Sequence, residues 1–157
     1  MKGTYLLILY LADEIAALNV GRLGAFTFAA GYYLYVGSAF GPGGVNARLA
    51  YHQRRTKQRP RWHIDYLRER ARLLEAWAIG WDVPIERPLV SALLEDGRLC
   101  APVPGFGAGD SDLRSHLLYS AKRPPERSLT TAILAIAEAS GRPTSQLTIE
   151  IHTYDDV

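Results

Sequence analysis

The stretch Gly31–Leu67, which reads GYYLYVGSAFGPGGVNARLAYHQRRTKQRPRWHIDYL, decides how this chain is interpreted. It opens with the aromatic run Tyr32–Val36, whose residue types favour a half-buried β-strand. A glycine-dense turn follows at residues 37–44, where the backbone can adopt positive φ angles or approach a ligand closely. Next come a helix-like segment with Arg48 and His52, a basic tract, and the sequence WHIDYL. This order of strand, glycine turn and helix indicates a site that handles phosphate.

The length and composition indicate one folded domain. With 157 residues, of which 48% are hydrophobic, the chain can bury a core and differs from disordered sequences. No apolar run approaches the roughly 20 residues that a membrane-spanning helix requires. The strand-like start after Met1 lacks the pattern of a signal peptide. The single cysteine, Cys100, excludes an internal disulfide and fits a reducing compartment. We therefore expect a cytoplasmic protein that does not enter a membrane.

Basic residues are concentrated in one part of the sequence. Between Arg48 and Arg72 lie nine basic and two acidic residues, a net charge of +7 in a chain whose total is only +2. Such a focused patch is typical of proteins that bind polyanions, although a solvated helix face produces the same run of charge. We expect Arg59, Arg61 and Arg68 to contact the backbone of a nucleic acid.

Hydrophobic periodicity and turn residues divide the chain into strands and helices. The sequence predicts strands at residues 3–11, 15–20, 26–36, 74–81, 116–119 and 147–154, and Gly31 is a candidate break in the third of these. It predicts helices at residues 45–55, 62–73, 86–95 and 126–139, and a Gly/Pro-rich loop at residues 101–112. The strands in the first 37 residues should pair into an antiparallel sheet. These elements indicate a single α/β domain.

The glycine turn does not match the common nucleotide-binding motifs. A P-loop needs Gly-Lys followed by Ser or Thr, whereas this turn ends in the sequence GGVN at Gly43–Asn46. The glycine spacing of a dinucleotide-binding turn is also missing. We therefore expect no nucleotide cofactor.

Phosphodiester hydrolysis fits these residues better. The reaction needs a water nucleophile, a base for its proton and positive charge near the phosphate oxygens. A divalent cation on a carboxylate usually adds to that charge. Arg48 can neutralise the phosphate, and His52 lies one helical turn later on the same face. Tyrosine hydroxyls from adjacent strands can orient the water, and Glu86 or Asp65 can anchor the cation.

These residues resemble the motifs of the GIY-YIG nuclease superfamily. Gly3–Tyr5 is similar to the first motif and Tyr35–Gly37 to the second. Arg48 and His52 fall where the superfamily has an arginine and, one turn later, a His or Tyr on a helix. The resemblance implies an α/β fold of the α+β type, with a small, mainly antiparallel central sheet flanked by helices. It also implies a metal-dependent endonuclease that acts on DNA.

The resemblance gives each candidate site residue a role. Tyr5 and Tyr35 would lie on neighbouring strands and position or deprotonate the water. Arg48 would stabilise the transition state, and His52 would assist proton transfer. A glutamate on a later helix would bind Mg²⁺ or Mn²⁺, and we assign that role to Glu86.

The match is closer still to an uncharacterised branch of the superfamily, which is sometimes fused to DNA-repair glycosylases. That branch looks like this chain in five segments: GTYLL, GYYLYVGSA, an Arg-x-x-x-His helix, WHIDYL and a late GFG…SHL segment. All five occur here in that order, between Gly3 and about Tyr119. The resemblance thus implies a nuclease domain at residues 1–121, with a helix–strand extension at residues 122–157 packed on it. It also implies a role in DNA repair or processing.

Several of these residues have ordinary structural explanations as well. Tyr5 and Tyr35 can be core aromatics, His52 can cap a helix, and Glu86 can complement a helix dipole. Glu95 is the second choice for the cation. These explanations leave two other functions open, a catalytically silent nucleic-acid-binding module and a protein-interaction domain that uses the aromatic surface.

Three further residues have the chemistry of zinc ligands. They are His63, Asp65 and His116, but no closely spaced Cys/His quartet accompanies them. A structural His–Asp hydrogen bond that joins the Trp62 helix to the core explains the first two more simply.

Overall fold

The computed structural model of the chain describes residues 1–108 and 115–155. In these ranges the chain forms the strands β1 (Gly3–Leu11), β2 (Ile15–Asn19), β3 (Ala25–Phe28), β4 (Gly31–Ala39), β5 (Arg72–Gly80), β6 (Leu117–Ser120) and β7 (Thr148–Thr153). The α-helices are α1 (Gly44–Gln53), α2 (His63–Arg70), α3 (Glu86–Glu95) and α4 (Glu126–Ala139), and a 3-10 helix spans Gly21–Leu23. No helix within the described ranges is long and apolar enough to cross a membrane.

Five strands form one antiparallel sheet in the order β6-β4-β1-β5-β7. β1 is the central strand and pairs with β4 on one side and β5 on the other. The structure confirms the expected α+β architecture, a small antiparallel sheet flanked by helices. The strand β7 pairs with β5 and forms one edge of the sheet.

Both faces of the sheet are covered, which explains the almost unbroken burial of β1. Its residues Tyr5, Leu7 and Leu9 belong to a hydrophobic cluster that includes side chains of α1 and α2. Its residues Leu6 and Ile8 belong to a second cluster, with side chains of α3 and α4. Because successive side chains of a strand point to opposite faces, β1 contributes to both clusters. The candidate tyrosine of β1 therefore faces α1 and α2.

The first 37 residues differ from the sequence prediction. The predicted break near Gly31 is confirmed, since β3 ends at Phe28 and β4 begins at Gly31, but β2 pairs with β3 in a separate two-stranded sheet. The hydroxyls of Tyr33 and Tyr119 donate hydrogen bonds to the carbonyl oxygens of Ala29 and Ala30. These side-chain hydrogen bonds satisfy the carbonyl oxygens of the two residues between β3 and β4. At this point the chain passes from the two-stranded sheet to the five-stranded sheet.

The other predicted elements are present with shifted ends. The second helix ends at Arg70 rather than at residue 73, because Arg72 already pairs with Tyr10 in the sheet. The last part of the predicted Gly/Pro loop, residues 109–112, and the middle of the GFG…SHL segment lie outside the described residues.

Candidate active site

The described residues enclose a cleft of about 420 Å³ on the side of the sheet that faces α1 and α2. Four residues that the sequence predicts for the site line this cleft: Tyr5, Tyr35, Arg48 and Glu86. Arg61, one of the expected nucleic-acid contacts, lines it as well. The fold therefore brings together side chains from β1, β4, α1, α3 and the loop before α2.

Tyr5 reaches the cleft because its neighbour on the adjacent strand is a glycine. Tyr5 lies opposite Gly37 in the pairing of β1 with β4, and a Cβ on Gly37 would overlap the Tyr5 ring and hydroxyl. Tyr35 lies beside Tyr5, with ring centroids 6.4 Å apart. The glycine of the Tyr-Val-Gly motif thus makes room for the tyrosine of the Gly-Thr-Tyr motif.

His52 supports Tyr5 from behind the cleft. Its Nε2 lies 2.9 Å from the Tyr5 hydroxyl, and its side chain is fully buried. Burial, followed by the nearby charge of Lys57, lowers the pKa of His52 to about 3. The imidazole is therefore neutral near physiological pH. The second ring nitrogen, Nδ1, has no hydrogen-bond partner in the part of the chain that the structure describes.

Burial raises the pKa of both Tyr5 and Tyr35 above that of an exposed tyrosine. Tyr35 raises the pKa of Tyr5 further, and the Glu86 carboxylate does the same for Tyr35. The charge of Arg48 opposes the shift at both tyrosines. Both phenols therefore keep their protons at neutral pH and can donate hydrogen bonds to water or to a phosphate.

Trp62 holds two arginines beside the cleft. The guanidinium carbon of Arg48 lies 4.5 Å from the centroid of the Trp62 ring, and that of Arg61 lies 4.8 Å from it. Such cation–π contacts fix the position of a guanidinium group without neutralising its charge. One wall of the cleft therefore carries two positive charges that can attract a phosphate.

Glu86 is the first residue of α3 and is partly buried in the cleft. Its Oε1 lies 3.2 Å from Nδ1 of His116, which immediately precedes β6. Burial raises the pKa of Glu86, and the neighbouring histidine opposes that shift. The structure thus pairs the expected cation ligand with a histidine whose partner the sequence does not reveal.

The loop at residues 103–108 lies against Tyr35 and bounds the cleft. Phe106 is fully buried, and its ring meets the Tyr35 ring edge-on. Gly107 has a φ of +69°, and a Cβ there would lie 3.1 Å from the Tyr35 ring. Its N–H donates a 2.8 Å hydrogen bond to Nδ1 of His63, and burial lowers the pKa of His63. The neutral ring therefore carries its hydrogen on Nε2.

Asp65 has a structural position away from the cleft lining. Its Oδ2 accepts a 2.7 Å hydrogen bond from the Tyr51 hydroxyl, and bonds of 2.8 and 3.0 Å from the N–H groups of Arg61 and Trp62. Asp65 thus caps the start of α2 and fastens the preceding loop to α1. Its structural role agrees with the sequence interpretation, but its partners are Tyr51, two backbone N–H groups and, at 3.8 Å, the Lys57 ammonium group rather than a histidine.

The arginines expected to contact nucleic acid lie in different environments. Arg59 and Arg61 are exposed in the loop between α1 and α2. Arg68 is only 1% exposed, and its guanidinium donates hydrogen bonds to the carbonyl oxygens of His52, Gln53 and Ala71. It stabilises the carbonyl end of α1 and joins it to α2. The expectation that Arg68 contacts nucleic acid is therefore wrong, because its guanidinium is buried and is bonded to backbone carbonyl oxygens.

Comparison with known proteins identifies the family. A family described as "Domain of unknown function DUF123" matches residues 4–138. The chain belongs to the DUF123 family. The match contains every residue that lines the cleft. No curated protein and no solved structure matches the chain.

The cleft of this DUF123 domain also contains residues without a catalytic role in the sequence interpretation. They are Trp62, His63, Gly107 and His116. The sequence indicated these residues only as members of the WHIDYL and GFG…SHL segments of the branch that the chain resembles. The sequence alone does not show that both segments lie beside Tyr35.

Among the described residues that line the DUF123 cleft, Glu86 carries the carboxylate that could hold a cation. Among the described residues, no three His, Cys, Asp or Glu side chains form a group that could hold a metal ion. Glu86 contributes one carboxylate to the cleft, whereas Glu95 is exposed at the other end of α3. Mg²⁺ commonly binds one or two carboxylates and completes its shell with water and substrate phosphates. Glu86 is therefore the residue that would hold such an ion.

Proposed function

We propose that this DUF123 protein is a metal-dependent endonuclease of the GIY-YIG type that hydrolyses phosphodiester bonds in DNA. One observation carries the proposal: Tyr5, Tyr35, Arg48 and Glu86 come from four different elements and line one cleft of about 420 Å³. Together they supply hydroxyl groups for a water molecule, a cation for a phosphate and a carboxylate for a metal ion. The order of the five motifs supports the same superfamily.

Arg48 and Glu86 carry the electrostatic part of the mechanism. A divalent cation bound by Glu86 would add positive charge to the phosphate oxygens. Arg48, oriented by its contact with Trp62 at 4.5 Å, binds the same phosphate and offsets the negative charge that develops in the transition state. Because the guanidinium is held before the substrate arrives, it needs little reorganisation during the reaction.

Tyr5 and Tyr35 hold the attacking water. Tyr5 lies between the cleft and His52, with its hydroxyl 2.9 Å from Nε2. The neutral imidazole of His52 accepts a hydrogen bond from the Tyr5 hydroxyl, so the phenol oxygen can accept a hydrogen bond from the water. This contact uses the tautomer of His52 that carries its hydrogen on Nδ1. Tyr35 stays protonated and donates a hydrogen bond, because burial raises its pKa.

The basic loop provides the DNA-binding surface of this proposal. Arg59 and Arg61 are exposed, and Arg61 also lines the cleft. Both can bind phosphates on either side of the scissile bond. We place the protein in the cytoplasm, in DNA repair or processing, on the basis of its single cysteine and the branch that it resembles.

A nicking assay tests the proposed activity. The wild type is incubated with Mg²⁺ or Mn²⁺ and with plasmid, branched or single-stranded DNA. We expect cleavage of at least one substrate, and EDTA should abolish it. Glu86→Gln should lower the rate about 100-fold or more while DNA binding persists. Glu95→Gln, at the other end of the same helix, should keep the wild-type rate. Cleavage that survives both EDTA and Glu86→Gln would exclude the metal site.

A catalytically silent nucleic-acid-binding module is the second candidate. Two observations favour it: burial raises the pKa of both tyrosines, and no three-residue metal group exists among the described residues. This module would bind DNA in a salt-sensitive way and cleave none of the substrates. Arg48→Ala separates the two candidates, because in a nuclease it lowers cleavage about 100-fold or more with binding largely retained.

A further inference from the structure

His116 is placed at the cleft by its own main chain. Its N–H donates a 2.9 Å hydrogen bond to the carbonyl oxygen of Phe106, and its carbonyl oxygen accepts a 3.1 Å bond from the N–H of Val36. The side chain is only 4% exposed, yet it lines the cleft. The loop at residues 103–108 and the strand β4 therefore fix the ring from two sides.

Nδ1 of His116 faces two oxygen atoms. It lies 3.2 Å from Oε1 of Glu86 and 3.3 Å from the carbonyl oxygen of Val36. Because a carbonyl oxygen can only accept, Nδ1 carries a hydrogen and directs it to both oxygens. The carboxylate is thereby held through Oε1, and its other oxygen, Oε2, takes no part in this contact.

Packing alone does not explain why residue 116 is a histidine, and the other ring nitrogen, Nε2, gives the reason. Nε2 is buried and has no hydrogen-bond partner in the described ranges. An apolar side chain of similar size would fill the same space without burying an unpaired nitrogen. The hydrogen-bond donor at Nδ1 is therefore the feature that distinguishes histidine from a hydrocarbon at position 116.

We propose that His116 is a positioning residue that orients the Glu86 carboxylate for cation binding. The inference rests on the proposed function, in which Glu86 binds Mg²⁺ or Mn²⁺. Groups that hold a metal ligand by a hydrogen bond fix the direction of its free oxygen, and their removal commonly lowers metal affinity about 10- to 100-fold.

Two amide variants test the role of the Nδ1 donor. The side-chain amide of Asn can place an N–H near the position of Nδ1, whereas the longer side chain of Gln places it near Nε2. Binding of Mn²⁺ to full-length His116→Asn, His116→Gln and wild-type protein is measured by electron paramagnetic resonance titration without DNA. We expect the Asn variant to stay within about threefold of wild type and the Gln variant to lose about tenfold or more. DNA binding in EDTA, measured by fluorescence anisotropy, should be the same for all three.

The possible outcomes separate this inference from the proposed function. Glu86→Gln serves as the reference that removes the expected ligand. If Glu86→Gln lowers Mn²⁺ affinity while His116→Asn and His116→Gln bind Mn²⁺ equally well, the proposed site stands and His116 has no positioning role. If binding survives Glu86→Gln, the proposed metal site is wrong and the inference falls with it. If wild type binds no Mn²⁺ without DNA, the inference that His116 prepares Glu86 for the ion is wrong, and the nicking assay with EDTA still decides the proposed function.

Discussion

Gly37 is the residue at which one added methyl group should disturb the site most. A Cβ there would overlap the Tyr5 ring, which is 2% exposed and bonded to His52. We expect Gly37→Ala to push Tyr5 away from His52 and to lower the free energy of unfolding by about 1–3 kcal/mol, as overpacked cores do. Urea unfolding measures this loss, and the nicking assay should show the loss of activity.

Gly41 provides the matched control for Gly37. A Cβ at Gly41 would meet no heavy atom within 4 Å. Gly41→Ala should therefore change stability by no more than about 0.5 kcal/mol. Equal stability and activity of the two variants would show that the glycine of the Tyr-Val-Gly motif is not required for space.

The buried Arg68 and the exposed Arg70 lie on the same helix, α2, and should behave differently. Removal of the Arg68 guanidinium leaves three backbone carbonyl groups without their charged donor. We expect Arg68→Met to lower the free energy of unfolding by about 3 kcal/mol or more. Arg70→Met should have little effect. Thermal unfolding of both variants checks this, and equal midpoints would contradict the structural role of Arg68.

At the scale of the elements, the loop between α1 and α2 should determine DNA affinity. Arg61→Ala removes an exposed charge beside the cleft. It should weaken DNA binding without destabilising the fold, and it should reduce the slope of log K against log salt by about 0.9 for duplex DNA. Anisotropy titrations at several salt concentrations measure that slope. An unchanged slope would show that Arg61 contacts no phosphate.

Local patterns predicted most elements, because hydrophobic periodicity is a property of each segment alone. They did not predict which sheet a strand joins, since that depends on distant groups. The hydroxyl of Tyr119 bonds to the carbonyl oxygen of Ala30, 89 residues earlier in the sequence. For the same reason, charge counting did not reveal that Arg68 turns inward to the ends of α1 and α2. The Glu86–His116 contact also requires the pairing of β4 with β6.

For the whole molecule, residues 122–155 contribute directly to the core. The strand β7 covers one edge of β5, and the helix α4 places Leu129 and Ile133 in the same cluster as Trp77 and Ile79. We expect a fragment of residues 1–121 to lose cooperative unfolding, because apolar surface and a strand edge become exposed. Circular dichroism with urea titration tests this. A cooperative transition in the fragment would support an independent domain at residues 1–121 with an appended extension.

The free energy of unfolding at acidic pH should show the effect of burying His52. Burial lowers its pKa from 6.5 to about 3 in the folded protein. Between these values the unfolded chain binds more protons at this ring than the folded chain does. The free energy of unfolding therefore rises with pH in that window, by at most about 1.4 kcal/mol per pH unit from this group. Stability from this source is lost as the pH falls below about 6.5 and is constant above it.

A comparison of two histidine variants isolates that contribution. His52→Gln removes the buried titrating ring, whereas His152→Gln removes an exposed one on β7. Urea unfolding at a series of pH values should give a flatter profile for His52→Gln than for wild type between about pH 3 and 6.5. The His152→Gln variant is the control for replacing an exposed imidazole, and its profile should keep the wild-type slope. Equal slopes for all three proteins would mean that the pKa of His52 is the same in the folded and unfolded states, which would contradict the effect of its burial.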